Sequence, residues 1–167
     1  MIAEFQPVAE RRLLQLWREA PNNNNLSLIQ SPERPNRKYQ GYLDGVIVDS
    51  YHEIQAVVEM KTRDASYQTF DSLWNKEVMI RKHKLDHGKS GARLFGVPFI
   101  LLYYLAQDDV LMDLSVTDHT GTVVTPVRIE RTRTNADIHG GEANELNAFI
   151  DMTDSILYKG DAYEGFD

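Results

Sequence analysis

Two stretches in the first third of the chain carry the clearest strand pattern. Residues 42–48 and 54–61 are rich in β-branched side chains, and the polar stretch 49–53 between them predicts a turn. Side chains alternate across a strand, so Asp44 shares a face with Val46 and Val48, while Glu59 and Lys61 share one with Val57. A hairpin of these strands brings the three charged groups to one end of one sheet face.

Elsewhere the pattern changes period. Residues 8–18, with Leu13, Leu14, Leu16 and Trp17, predict an amphipathic helix with Pro7 near its start, ended by Pro21 and four asparagines. Residues 26–29 suggest a short strand and 31–38 a loop. Leu73, Trp74, Val78, Ile80, Leu85 and Leu94 place one interrupted helix or two helices across 70–95, with Gly88 and Gly91 weakening continuity. After a stop at Gly96, residues 99–105 form an almost wholly apolar run suited to a central strand covered on both faces. Further strands are expected at 110–116 and 122–131, flanking a turn at 118–121. Leu146, Phe149, Ile150, Met152 and Ile156 suggest an acidic packing helix over 142–158, and 159–167 an acidic, flexible tail.

With 167 residues, 42% of them hydrophobic, the chain suits one α/β domain over 1–158 with C-terminal additions. It has no cysteine, which excludes disulfides, thiolate metal sites and a cysteine nucleophile. No signal-peptide pattern or membrane-length apolar run occurs, so a cytoplasmic or otherwise intracellular protein without membrane contact is expected. The net charge of −7 argues against a broad nonspecific nucleic-acid coat, but leaves room for local cations to face DNA.

A carboxylate beside buried valines must be paired, hydrogen-bonded or bound to a cation. Mg2+, or Mn2+ in its place, takes hard oxygen ligands of the kind that Asp44, Glu59 and the Met60 carbonyl offer. Lys61 could then orient or help deprotonate an attacking water, or neutralise charge on a phosphoryl group. The alternative is a structural ion pair between Lys61 and either carboxylate.

Leu43-Asp44-Gly45 followed by Val57-Val58-Glu59-Met60-Lys61 resembles the PD-(D/E)XK nuclease superfamily, whose members place an Asp and then a Glu-x-Lys on adjacent core strands. Leu43 stands where that pattern often has proline, a residue that does not ligate metal. The resemblance covers residues 10 to about 105 and implies a restriction-endonuclease-like core, a mixed central sheet flanked by helices. It also implies metal-dependent hydrolysis of DNA, endonucleolytic or exonucleolytic, with Asp44 and Glu59 on the metal and Lys61 assisting attack. A catalytically inactive structural or nucleic-acid-binding protein of the same fold is the alternative. In some such families an acidic residue of the first helix supports the metal; Glu10 is the preferred match and Glu19 the second. A helper Lys or Gln often follows on a later helix, for which Lys84 and Gln68 compete.

Cations concentrate in one region of this acidic chain. Lys82, Lys84, Lys89 and Arg93 are the expected contacts to DNA phosphates, with Lys76 and Arg81 nearby. Arg34, Arg37 and Lys38, and later Arg128, Arg131 and Arg133, are further candidates set against ordinary surface charge. His83 and His87 lie one helical turn apart but lack the Glu of the zinc-protease pattern, so surface or DNA-facing histidines are expected. Self-association or another protein partner is compatible with the pattern, which marks no interface.

Overall fold

The computed structural model describes residues 2–31, 43–135 and 142–161. Arg34, Arg37, Lys38 and the last six residues of the expected tail lie outside them. Helix α1 (Ile2–Glu19) precedes strands β1 (Ser27–Gln30), β2 (Gly45–Val48) and β3 (Ile54–Arg63). A short helix α2 (Tyr67–Ser72), strand β4 (Glu77–Arg81) and helix α3 (Lys82–Phe95) follow. The chain continues through β5 (Phe99–Leu105), β6 (Val110–Ser115), β7 (Val127–Asn135), β8 (Glu142–Asp151) and β9 (Ile156–Lys159).

Six strands form one mixed sheet in the order β1-β2-β3-β5-β6-β9, and β4-β8-β7 form a second, antiparallel sheet. Within the large sheet only β3 and β5 run parallel, and the connection between them carries α2, β4 and α3. Parallel neighbours need such a crossover, because a tight turn cannot reverse the chain twice. The result is the expected α/β architecture, a mixed central sheet flanked by helices.

The two faces of the sheet have separate cores. On one, Ala9, Leu13, Leu16 and Trp17 of α1 pack against Ala56, Val58, Leu102 and Tyr104. On the other, Leu85 and Ala92 of α3 meet Val57, Phe99, Leu101 and Tyr103, together with Val78 and Ile80 of β4 and Ala148 and Ile150 of β8. Tyr103 and Tyr104 therefore face opposite ways, as strand geometry requires. Burial on both faces explains the unbroken apolar run of β5. Arg12 also clamps α1 in place: its Nε and Nη2 donate to the two Asp109 carboxylate oxygens at 2.8 and 2.6 Å, and Tyr104 donates to the same carboxylate at 2.6 Å.

Three expectations fail in instructive ways. Residues 70–95 are not all helical: β4 interrupts them because Val78 and Ile80 alternate into the core, and Asn75 and Lys76, at φ 51° and 58°, break the preceding helix. Gly88 does not weaken α3. A Cβ there would sit 2.3 Å from the Phe99 ring, so the glycine lets the helix lie directly on β5. Residues 142–158 hold strands β8 and β9 rather than a helix; Ala148, Ile150 and Met152 are buried at the two-residue spacing of a strand. Lys159 of the expected tail closes β9, and Gly160 donates its backbone N–H to the Asp109 carbonyl at 2.8 Å.

Asp113 of β6 provides a stability test. Burial pushes its carboxyl from 3.8 up to about 6, against the lowering effect of the Tyr158 hydroxyl. Because the folded value is the higher one, its contribution is fully present below about pH 4 and lost as pH rises through about 6. Asp113→Asn should therefore raise the unfolding free energy by about 1–3 kcal/mol at pH 8, and the gain should vanish at pH 4. Thermal melts at the two pH values measure the difference.

Candidate active site

The β2–β3 ladder stops early. Its last pair is Gly45 with Val58, and immediately before it the Asp44 N–H donates to the Val58 carbonyl at 3.0 Å. The Asp44 carboxylate then takes the place of the next ladder partner, with Oδ2 accepting from the Met60 N–H at 2.8 Å. The Asp44 carbonyl accepts from Ser31 N–H at 2.7 Å, and the Ser31 hydroxyl donates to the Leu43 carbonyl at 2.8 Å. Gly45 is required beside it, since a Cβ would lie 2.5 Å from the Ile29 carbonyl oxygen. Asp44 is thus fixed by backbone bonds rather than left on a loose turn.

Beyond this point one edge of β3 has no β2 partner. The N–H and C=O of one strand residue point to the same side, so the Met60 carbonyl opens onto the same edge that its N–H presents to Asp44. Glu59 and Lys61 project to the α3 side with Val57, as Asp44 does with Val46. Lys84, in the first turn of α3, pairs with Glu59 Oε1. Glu59 is only 3% exposed, and its Oε2 is buried with no hydrogen-bond partner among the described residues.

The electrostatics follow from this crowding. Burial first, and the Asp44 carboxylate second, push Glu59 from 4.5 up to about 7 against the opposing pull of Lys84. Lys61 is pushed from 10.5 down to about 7, by burial above all and then by Arg63 and Lys84. Its ammonium donates to the Met79 carbonyl of β4, tying the large sheet to the small one at the site.

Glu59, Met60, Lys61 and Lys84 line a cleft of about 260 Å³ whose walls also include Glu10, Gln6, Arg63 and Arg81; Asp44 is not part of the lining and adjoins it through its bond to the Met60 N–H. Glu10 belongs to α1, on the opposite sheet face, and reaches the cleft because β2 no longer covers the β3 edge. Glu19 lies at the far end of α1, where its carboxylate accepts from Gln15 at 3.0 Å. Gln68 is exposed on α2 and does not line this cleft. Among the described residues no three His, Asp or Glu side chains group closely enough to hold a metal ion. Two carboxylates converge, and further oxygen donors have to come from the main chain or solvent.

The four cations assigned to DNA divide between two sides of α3. At about 100° per residue, Lys82, Lys89 and Arg93 share one side of the helix and Lys84 lies roughly 200° from Lys82. Lys84 enters the carboxylate cleft, whereas Lys82 pairs with Asp86 at 2.8 Å. His83 and His87 pack ring to ring, 5.9 Å apart. Arg63, which lines the cleft, was not among the expected site residues, and Arg81 was expected only as one of the basic series on a helix. Arg63 follows Lys61 at strand period on the same face, a signal present in the sequence; Arg81 was hidden by reading β4 as helix.

No family model and no curated protein matches the chain. Among solved structures, that of Hjc from Archaeoglobus fulgidus, a Holliday junction resolvase from an archaeal hyperthermophile, covers 65% of this chain and 75% of its own at 15% identity, with a TM-score of 0.43. The chemistry of the site rests on its own geometry.

The fixed position of Asp44 can be tested without any substrate. Gly45→Ala should lower the unfolding free energy by about 1–3 kcal/mol, because its methyl group must push β1 from β2. Asp44→Asn, whose amide oxygen can still accept from Met60, should stay within about 1 kcal/mol of the parent. Denaturant melts of the two variants measure this contrast.

Proposed function

We propose that the chain hydrolyses phosphodiester bonds of DNA with a divalent cation, Mg2+ or Mn2+, at the cleft lined by Glu59 and Lys61, with Asp44 adjoining it. The observation that carries this reading is the unpartnered Glu59 Oε2, buried within the electrostatic reach of Asp44 at an open strand edge. An orphaned buried carboxylate oxygen is costly, and a second carboxylate nearby adds to the cost. A hard cation relieves both, so the donor set fits the ion. Asp44, Glu59 and the Met60 carbonyl are its ligands in this reading, with Glu10 supporting the site from α1.

When bound, such an ion polarises a phosphoryl oxygen and acidifies water. The residues of the chain supply position and charge. Lys61, braced by the Met79 carbonyl, presents its ammonium to the phosphoryl oxygens as negative charge builds on them. Arg63 and Arg81 line the same cleft and suit flanking phosphates. Lys82, Lys89 and Arg93 extend the phosphate path along the other side of α3. Lys84 pairs with Glu59 and would be released to a phosphate if a cation took its place on that carboxylate.

A second reading is a nucleic-acid-binding or structural protein of the same fold without catalysis. The Lys84–Glu59 pair favours it, since it satisfies one carboxylate oxygen within the protein, and so does the lack of a third acidic side chain grouped with the pair among the described residues.

Incubation of linear and circular DNA with Mg2+ or Mn2+ separates the readings. The parent should cleave only with the metal, and Asp44→Asn and Lys61→Met should each lose about 10²–10³-fold in rate. Cleavage undiminished in both folded variants would falsify the site. An intact substrate with retained DNA binding would establish the second reading.

A further inference from the structure

Lys61 and Arg63 form a wall shared by two cavities. Behind the carboxylate cleft lies a second cavity of about 340 Å³, bordered by Trp74, Asn75, Glu77, Tyr103, Arg128 and Phe149. Trp74 is 38% exposed, whereas Trp17 is buried at 2%. The turn that presents it is tightly specified. Asn75 and Lys76 adopt consecutive left-handed conformations, the Trp74 carbonyl accepts from Glu77 N–H at 2.8 Å, and Lys76 N–H donates to the Phe70 carbonyl at 2.9 Å. Neither residue is glycine, so this conformation is costly and is maintained by its surroundings.

Another part of the lining is a cation–aromatic stack. The Arg128 guanidinium lies 4.0 Å from the centre of the Phe149 ring and is held there by two-pronged hydrogen bonding to Glu77. Arg128 is already paired with both Glu77 and Glu130, so the positive charge facing the cavity comes from Lys61 and Arg63. The cavity therefore suits a ligand that is flat and aromatic and also carries negative charge. A nucleotide has both properties. Its phosphate belongs at the shared Lys61–Arg63 wall and its base beside Trp74 and the Arg128–Phe149 stack.

A base inside a duplex is already stacked and paired, so only an unpaired base can enter. We propose that this cavity binds an unpaired nucleobase next to the phosphate held in the carboxylate cleft, making single-stranded DNA or frayed strand ends the preferred substrate class. The assignment rests on the reading of the cleft lined by Glu59 and Lys61, with Asp44 adjoining it, as a phosphodiester site, and it adds which form of DNA that site takes.

Tryptophan emission reports on the cavity directly, because Trp74 is the more exposed of the chain's two tryptophans. The full chain is titrated, with Ca2+ in place of Mg2+, with a short single-stranded oligodeoxynucleotide and with a blunt hairpin duplex of the same sequence. The single strand should quench the emission and bind more tightly than the duplex. Trp74→Ala should weaken single-strand binding about 10–100-fold, as expected for loss of one stacked base. Trp74→Tyr, which preserves stacking, should restore affinity without the quench.

Absence of quenching by the single strand, unchanged affinity in Trp74→Ala, or equal binding and quenching by the duplex would overturn the proposal. A parent that fails to cleave with Mg2+ yet shows Trp74-dependent single-strand binding removes the hydrolytic reading and keeps the base site. Cleavage without any dependence on Trp74 removes the base site alone.

Discussion

The hydrogen bond from the Met60 N–H to the Asp44 carboxylate is the contact on which the candidate site depends. It ends the β2–β3 ladder with a side chain instead of a backbone carbonyl. Continued pairing would cover the edge of β3 and separate Glu10 on one sheet face from Lys84 on the other. By ending at Asp44, β2 leaves an opening where both faces and the Met60 carbonyl meet. The same bond fixes the Asp44 carboxylate near Glu59, so ending the ladder and assembling a like-charge pair are one structural event.

Such a pair is costly to a folded protein. Glu59 is buried with an unpartnered oxygen, Lys61 is half-buried beside it, and each is displaced from its usual titration range in the direction that burial dictates. Purely structural ion pairs normally satisfy their lone pairs and protons. Here Lys84 attends to one oxygen of Glu59, while Lys61 turns to a backbone carbonyl on another sheet. Shifted, incompletely paired groups in a cleft cluster at functional sites, although structural ion-pair networks also produce them. Elsewhere polar groups and packing are satisfied: α1 is clamped by Arg12 and Asp109, and α3 lies against Phe99 through Gly88.

Much of this arrangement was legible in the chain. The β-branched runs around Asp44 and Glu59 determine two adjacent strands, and strand alternation puts Asp44, Glu59 and Lys61 on one face, as the structure has them. The apolar run of β5 correctly implied a central strand, and Gly96 the end of α3. Reading failed where one pattern fitted two periods. Leu146, Phe149 and Ile150 are compatible with a helix, and only the pairing of β8 with both β4 and β7 makes the segment a strand. Val78 and Ile80 were likewise absorbed into a helix, which concealed Arg81 at the cleft and the cavity behind Lys61. The split of Lys82, Lys89 and Arg93 from Lys84 needed no structure, only helical geometry applied to the right boundaries.

The central claim is that Asp44 and Glu59 together hold a divalent cation, and calorimetric titration with Mn2+ measures it without reference to any substrate. Mn2+ should bind the parent, and Asp44→Asn and Glu59→Gln should each weaken binding at least about tenfold while remaining folded. Equal Mn2+ affinity in the parent and both variants would contradict the claim.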